Sequence, residues 1–148
     1  MYTNHTRNQR LASALAYSGL LPFIYFPIYL FFTGNNVIFG FGVEALLVAY
    51  SAVIVSFIAG IHWGIFLFKQ GPLNLFLYSN IIALLAWLSI FSIFFLNLII
   101  LILCLFFLLL IDSALLNQQL LAPWFYNLRL QVSTLAVLSL FSYGLIAL

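Results

Sequence analysis

Long apolar segments separated by short polar breaks define this chain. One break is the Thr-Gly-Asn-Asn run at residues 33–36, and another is the Lys-Gln-Gly-Pro turn at 69–72. Runs such as 99–111 are apolar at every position, without the alternation of a membrane β-strand. About 20 apolar residues suffice for an α-helix to cross the hydrocarbon layer of a bilayer. The pattern therefore predicts an all-α integral membrane protein.

The same pattern predicts five transmembrane helices in a single membrane domain. The apolar stretch 73–117 is far longer than one bilayer crossing requires, so it must fold back on itself. Its few polar positions place that turn at 94–97, and a Leu-Ala-Pro-Trp connection at 121–124 precedes the last span. The predicted spans cover residues 11–32, 44–68, 73–93, 97–117 and 126–147 of a domain that occupies 1–148.

Composition supports a membrane protein, and charge predicts its orientation. Only 4% of the residues are charged, against about a quarter in soluble domains. With five spans, all four basic residues fall on one side: Arg7, Arg10, Lys69 and Arg129. The positive-inside rule makes that side the cytoplasm. We expect a cytoplasmic N-terminus and a periplasmic C-terminus in the bacterial inner (plasma) membrane, with the mitochondrial inner membrane as the alternative.

Small residues recur every four positions in the second predicted span. They are Ala52, Ser56, Gly60 and Gly64. This spacing places small side chains on one helix face, where another helix can approach closely. We interpret the stripe as a helix-packing surface.

Four ionisable residues are the candidate functional polar groups. His62 lies on a different face of its helix from Gly60, and Glu44 shares the face of His62. Histidine titrates near neutrality, so His62 is either a proton-handling or ligand-binding group or a neutral side chain that hydrogen-bonds within the bundle. We favour the second interpretation. Asp112 and Arg129 lie at the inner ends of their spans, at the depth of His62, where the two can pair across a helical hairpin.

Two prolines and several hydroxyl residues are given structural roles. Pro22 and Pro27 remove backbone donors, bend the first span and free carbonyl groups near Ser18 and Phe23. The serine and threonine residues of the last span are assigned packing roles.

The sequence offers no starting point for catalysis. It has no nucleotide-binding loop, paired carboxylates, metal-ligand cluster or nucleophile–base spacing. We therefore predict no catalytic, cofactor-binding or metal residues, and no enzyme. Haem held by two histidines is disfavoured because His5, the other histidine, is in the polar tail. Two arginines in a tail do not form a nucleic-acid-binding patch, so the expected surroundings are the lipid bilayer and a membrane-protein partner or a homo-oligomer.

Several strings of residues together resemble one family. They are LAYSGLLPF at 15–23, GIHWG at 60–64, the aspartate at 112 and PWFYNLRL at 123–130. The chain resembles a family of small membrane proteins of unknown function, common in proteobacteria, that includes the mitochondrial transmembrane protein sixty-nine. The resemblance implies a five-helix inner-membrane protein and supplies no activity. Members commonly carry more basic residues after the aspartate, whereas 113–119 has none, so Asp112 is expected to depend more on Arg129.

Three functional hypotheses follow. The leading one is a non-enzymatic accessory or assembly component of an energy-conserving membrane, which packs against other membrane helices. The alternative is a small transporter or proton pathway that uses His62 with Asp112 and Glu44. A lipid-modifying enzyme is the third.

Overall fold

The structure is a computed structural model that describes residues 2–69 and 74–148, and these residues fold almost entirely into α-helices. The helices are α1 (Tyr2–Ser18), α2 (Leu21–Thr33), α3 (Val43–Phe68), α4 (Leu75–Ser89), α5 (Phe94–Asn117) and α6 (Pro123–Ile146). A short hairpin of β1 (Val37–Ile38) and β2 (Phe41–Gly42) joins α2 to α3. The predicted all-α class is confirmed.

Four of the described helical segments are long and apolar enough to cross a membrane. They are Arg7–Thr33, Val43–Phe68, Phe95–Asn117 and Pro123–Ile146. The apolar α4 has 15 residues, which at 1.5 Å per residue gives about 22 Å, less than the roughly 30 Å hydrocarbon core. The length and composition of these helices indicate a multi-pass membrane protein, whereas the predicted number of five spans stays a prediction.

The first predicted span is two helices. α1 ends at Ser18 and α2 begins at Leu21, with Pro22 in the first turn of α2, where a missing backbone N–H costs nothing. The Tyr50 hydroxyl donates to the Gly19 carbonyl at the break, at 2.8 Å. Within α2, Pro27 cannot donate to the Phe23 carbonyl, and the Ser139 hydroxyl of α6 donates to it instead. The carbonyl that Pro27 frees at Phe23 is thus satisfied by another helix, and the Gly19 carbonyl, next to Ser18, also accepts from another helix.

A tight hairpin follows residue 36 and connects α2 to α3. Gly34 ends α2 in a left-handed conformation (φ 60°), and its N–H donates to the Leu30 carbonyl at 2.9 Å. Phe39 (φ 51°) and Gly40 (φ 82°) then form the tip of the hairpin. Positive φ at both central residues suits the twist of a two-residue hairpin turn.

The turn between α4 and α5 lies earlier than predicted. α4 ends at Ser89 and α5 begins at Phe94, so the expected turn at 94–97 is wrong by about one helical turn. The prediction used Asn97 as a turn marker, but Asn97 lies inside α5 and is buried. Residues 70–72 of the predicted Lys-Gln-Gly-Pro turn, and the first residue of the predicted third span, lie outside the described residues.

α3 occupies a central place in the bundle, in contact with α2, α4 and α5. Trp63 and Phe66 of α3 both pack edge-on against Phe76 of α4, with ring centroids 4.7 and 4.6 Å apart. α6 packs against α5, α2 and α1. This arrangement brings one face of α3 and the facing turns of α5 and α6 into the interior, where the polar residues described next are found.

Candidate functional site

Three buried polar side chains meet where α3, α5 and α6 come together. Nε2 of His62 lies 2.8 Å from Oδ1 of Asp112, and Nε of Arg129 donates to Oδ2 of Asp112 at 3.1 Å. Ionised carboxylate oxygens only accept hydrogen bonds, so Nε2 of His62 carries the hydrogen. We call this cluster the inner triad. The structure thus contains the Asp112–Arg129 pair that the sequence allowed, with His62 bound to the same carboxylate.

Helical periodicity explains how these side chains reach the interior. His62 follows Ser51, Val55 and Ile58 along one face of α3, and all of these residues are buried. On α5, buried Leu108 and Leu115 lie one turn before and one turn after Asp112. The polar groups therefore sit on the same helix faces as the apolar core, and burial follows from the apolar pattern around them.

The inner triad is electrically balanced. The exposed fractions are 1% for His62, 1% for Asp112 and 7% for Arg129. A charge in such a place is costly unless an opposite charge and hydrogen bonds compensate it. The Asp112 carboxylate and the Arg129 guanidinium neutralise each other, so the triad has no net charge while His62 is neutral. This pairing makes the burial of both charges physically acceptable.

Hydrogen-bonding capacity is left over at the triad and beside it. Three buried atoms at this place have no hydrogen-bond partner within the described part of the chain: His62 Nδ1, Arg129 Nη2 and Ser133 Oγ. Arg129 and Ser133 also line a cavity of about 400 Å³. The residues that line this cavity belong to α1, α2, α3, α5 and α6 and to the segment between α1 and α2. The site therefore combines a satisfied ion pair with two free donors, Nη2 of Arg129 and Oγ of Ser133, and one free acceptor, Nδ1 of His62.

Glu44 belongs to a second, separate polar site. Nδ2 of Asn97 donates to Oε1 of Glu44 at 2.7 Å, at the opposite end of α3 from His62. Eighteen residues of helix, about 27 Å, separate Glu44 from His62. The shared face predicted for the two residues is present, with buried Leu47, Val55 and Ile58 between them. The four candidates thus divide into two sites, and Asn97 is a partner that the sequence analysis missed.

The small-residue stripe is placed mainly on the outside of the bundle. Ala52 is buried, but Ser56 and Gly60 are exposed and Gly64 is partly exposed. A Cβ atom added at Gly60 or Gly64 would meet nothing within 4 Å. Beyond Ala52, the described helices therefore do not pack on the predicted packing surface.

The described residues contain no group of three or more His, Cys, Asp or Glu side chains that could hold a metal ion. Cys104 is buried, with its sulfur 3.8 Å from the Ile82 carbonyl oxygen. It occupies the interior as a small apolar side chain.

Comparison with known proteins adds a family and no activity. The family described as "Protein of unknown function (DUF3429)" matches residues 8–145. Comparisons with curated proteins and with solved structures give no match. The predicted similarity to an uncharacterised family is confirmed over most of the chain, while the link to transmembrane protein sixty-nine stays a prediction. Function must therefore be argued from the molecule itself.

Proposed function

The chain belongs to the DUF3429 family of proteins of unknown function, and we propose that it is a non-enzymatic accessory or assembly component of an energy-conserving membrane. In this role it packs against helices of another membrane protein through the outward surface of α3. We call this surface the α3 outer face and define it as Ser56, Gly60 and Gly64.

The observation that carries the proposal is the outward direction of these small residues. Val53 (64% exposed) and Phe57 (71% exposed) lie four residues apart and form one apolar ridge beside them. Next to this ridge there is open space above Gly60 and Gly64. In lipid, helices associate where small residues let their backbones approach closely. A surface of this kind is suited to a helix from a partner protein.

The proposal includes a membrane orientation, which internal contacts support. Glu44 at the start of α3 contacts Asn97 near the start of α5, and Nζ of Lys69 after α3 donates to the Leu120 carbonyl after α5 at 3.3 Å. Helices α3 and α5 therefore run in the same direction. Because both are long enough to cross the membrane, the chain must return between them, and α4 is the described helix on that route.

With α4 as the short third span, the chain makes five crossings. The basic residues then fall on the cytoplasmic side, the N-terminus is cytoplasmic and the C-terminus periplasmic. The proposed location is the bacterial inner (plasma) membrane, with the mitochondrial inner membrane as the alternative.

The test is affinity purification of a tagged copy expressed at native level, followed by mass spectrometry of co-purifying proteins. We expect a stoichiometric membrane-protein partner. Ser56→Leu fills the α3 outer face and should remove that partner. Ser142→Leu makes the same change at an exposed position of α6 and should retain it. Recovery of the protein only as a homo-oligomer, or equal behaviour of the two variants, would contradict the proposal.

The inner triad favours a second candidate function, a small transporter or proton pathway. A buried histidine bonded to a carboxylate is a typical proton-handling arrangement. The sequence analysis suggested a pathway through His62, Asp112 and Glu44. The distance of roughly 27 Å between Glu44 and His62 argues against a direct proton transfer between them. Flux into liposomes tests it: the transporter hypothesis expects His62→Ala to abolish flux while partner binding is unchanged. Loss of the partner with unchanged flux would exclude it.

A further inference from the structure

A cleft beside the inner triad is built like a binding site for an amphiphile. Its inner wall includes buried Leu20, Phe23 and Ala136, and its rim includes Leu15 and Phe57, which are exposed on the apolar surface of the bundle. The volume of about 400 Å³ is within the range of small-molecule sites. The cleft is therefore accessible to a molecule that arrives from the hydrocarbon layer.

The polar part of the cleft is confined to one place. Among the lining residues that the structure describes, Arg129 and Ser133 alone have polar side chains. They are four residues apart on α6 and so lie on neighbouring turns of one face. Arg129 is 7% exposed and Ser133 1% exposed, and Nη2 of Arg129 and Oγ of Ser133 have no hydrogen-bond partner in the described chain. Buried donors without partners are costly, so a ligand that accepts from them is favoured.

We propose that this cleft binds a lipid through an uncharged carbonyl oxygen, which accepts hydrogen bonds from Nη2 of Arg129 and Oγ of Ser133. The hydrocarbon part of the lipid lies against Leu20, Phe23 and Ala136. The cleft adjoins the α3 outer face at Phe57 but includes none of Ser56, Gly60 and Gly64, so the proposal does not rest on the partner proposed above.

Charge balance selects an uncharged head group. The charge of Arg129 is already compensated by Asp112 through the 3.1 Å hydrogen bond. A bound carboxylate or phosphate would add a second negative charge next to the buried Asp112, and the balance would then require protonation of His62. A carbonyl oxygen uses the free donors and adds no charge. Acyl esters of membrane lipids and ring carbonyls of isoprenoid quinones both carry this chemistry.

The experiment uses photolabelling of the purified full-length protein in a maltoside detergent, which contains no carbonyl group. The first probe is the methyl ester of a C16 fatty acid with a diazirine in the chain. The matched probes are the free fatty acid and a diazirine-bearing C16 hydrocarbon. Labelled peptides locate the site, and saturation of labelling measures affinity. We expect the ester to label residues that line the cleft and to bind more tightly than either matched probe.

Matched variants separate the hydrogen bond from the apolar contact. Ser133→Ala should weaken ester binding roughly two- to tenfold, which is the loss of one neutral hydrogen bond, and should not change hydrocarbon binding. Ser142→Ala, an exposed position of the same helix, should change neither. Ala12→Phe fills the cleft and should block both probes, whereas Ala14→Phe at an exposed position of α1 should block neither.

Competition then identifies the source of the carbonyl group. The two competitors are dioleoylglycerol and decylubiquinone, and the one that displaces the ester probe at the lower concentration identifies the source. A lower concentration for dioleoylglycerol indicates an acyl ester, and a lower concentration for decylubiquinone indicates a quinone. The proposal is overturned if neither competes, if Ser133→Ala has no effect, if the label lies outside the cleft, or if the free fatty acid binds more tightly than its ester.

Discussion

His62 and Asp112 lie fifty positions apart in the sequence and are joined by a hydrogen bond of 2.8 Å in the interior of the bundle. The other oxygen of the same carboxylate accepts from Arg129. One aspartate therefore connects three helices, α3, α5 and α6. Because hydrocarbon offers no alternative partners, such a connection stabilises the bundle whatever ligand or partner the protein also binds.

The first prediction concerns the charge balance of the inner triad. Asp112→Asn leaves the Arg129 guanidinium buried without a counter-charge. Arg129→Gln likewise leaves the Asp112 carboxylate buried without a counter-charge. Removing one partner of a buried ion pair costs about 3–5 kcal/mol. We expect each variant to unfold at a clearly lower temperature in detergent, as measured by circular dichroism.

The double variant Asp112→Arg with Arg129→Asp provides the control. It restores opposite charges in swapped positions, so it should recover part of the lost melting temperature. Recovery is incomplete because His62 then faces a guanidinium in place of a carboxylate. If the swap recovers nothing, Asp112 and Arg129 act as independent anchors and the ion pair does not stabilise the bundle.

The second prediction concerns the hydroxyl group that replaces a missing backbone donor. Pro27 leaves the Phe23 carbonyl without its helical partner, and Ser139 donates to that carbonyl from α6. Ser139→Ala leaves a buried acceptor unsatisfied, which costs about 1–3 kcal/mol. Ser142→Ala removes a hydroxyl that donates only to Leu138 in its own helix, so its melting temperature should stay near that of the wild type. Equal melting temperatures would show that the bond between α2 and α6 does not stabilise the fold.

The third prediction concerns the polar contact at the other end of α3. Asn97 is 3% exposed and donates to Glu44 at 2.7 Å, so Asn97→Ala removes a donor from a partly buried carboxylate. A hydrogen bond to a charged group contributes about 1.5–3 kcal/mol. Asn80→Ala is the matched control, because the exposed Asn80 amide donates to the Phe76 carbonyl in its own helix. We expect the first variant to lower the melting temperature by the larger amount, and the reverse order would contradict the role assigned to Asn97.

Much of the fold could be predicted because hydrophobic periodicity and span length are local properties. The run of apolar residues before Lys69 places the end of α3 at Phe68, as observed. The turn after α4 was misplaced for an equally physical reason. Inside a membrane bundle a polar residue marks either a turn or a buried contact, and Asn97 is a buried contact. Only the tertiary position of Glu44 distinguishes the two.

The candidate site could be predicted only in part. The depths of His62, Asp112 and Arg129 follow from counting residues to the ends of their helices, and this made a cluster possible. Which helix faces meet depends on how the helices pack. The spacing of Arg129 and Ser133 places them on one face of a helix, but it could not predict that this face lines a cleft. The stripe of small residues shows the same limit. The four-residue spacing placed Ser56 and Gly60 on one helix face, but the spacing alone does not determine whether that face points outward.

The last prediction tests the membrane orientation. In a Cys104→Ser background, Asn36→Cys and Asn117→Cys make the same change at two exposed positions. Five crossings with a cytoplasmic N-terminus place residue 36 outside and residue 117 inside, because α5 ends on the same side as Lys69. In intact cells with a permeabilised outer membrane, a maleimide that cannot cross the inner membrane should label Asn36→Cys. It should label Asn117→Cys only after the inner membrane is opened. The opposite pattern would reverse the orientation, and equal labelling of both positions would mean that α5 does not separate two sides of the membrane.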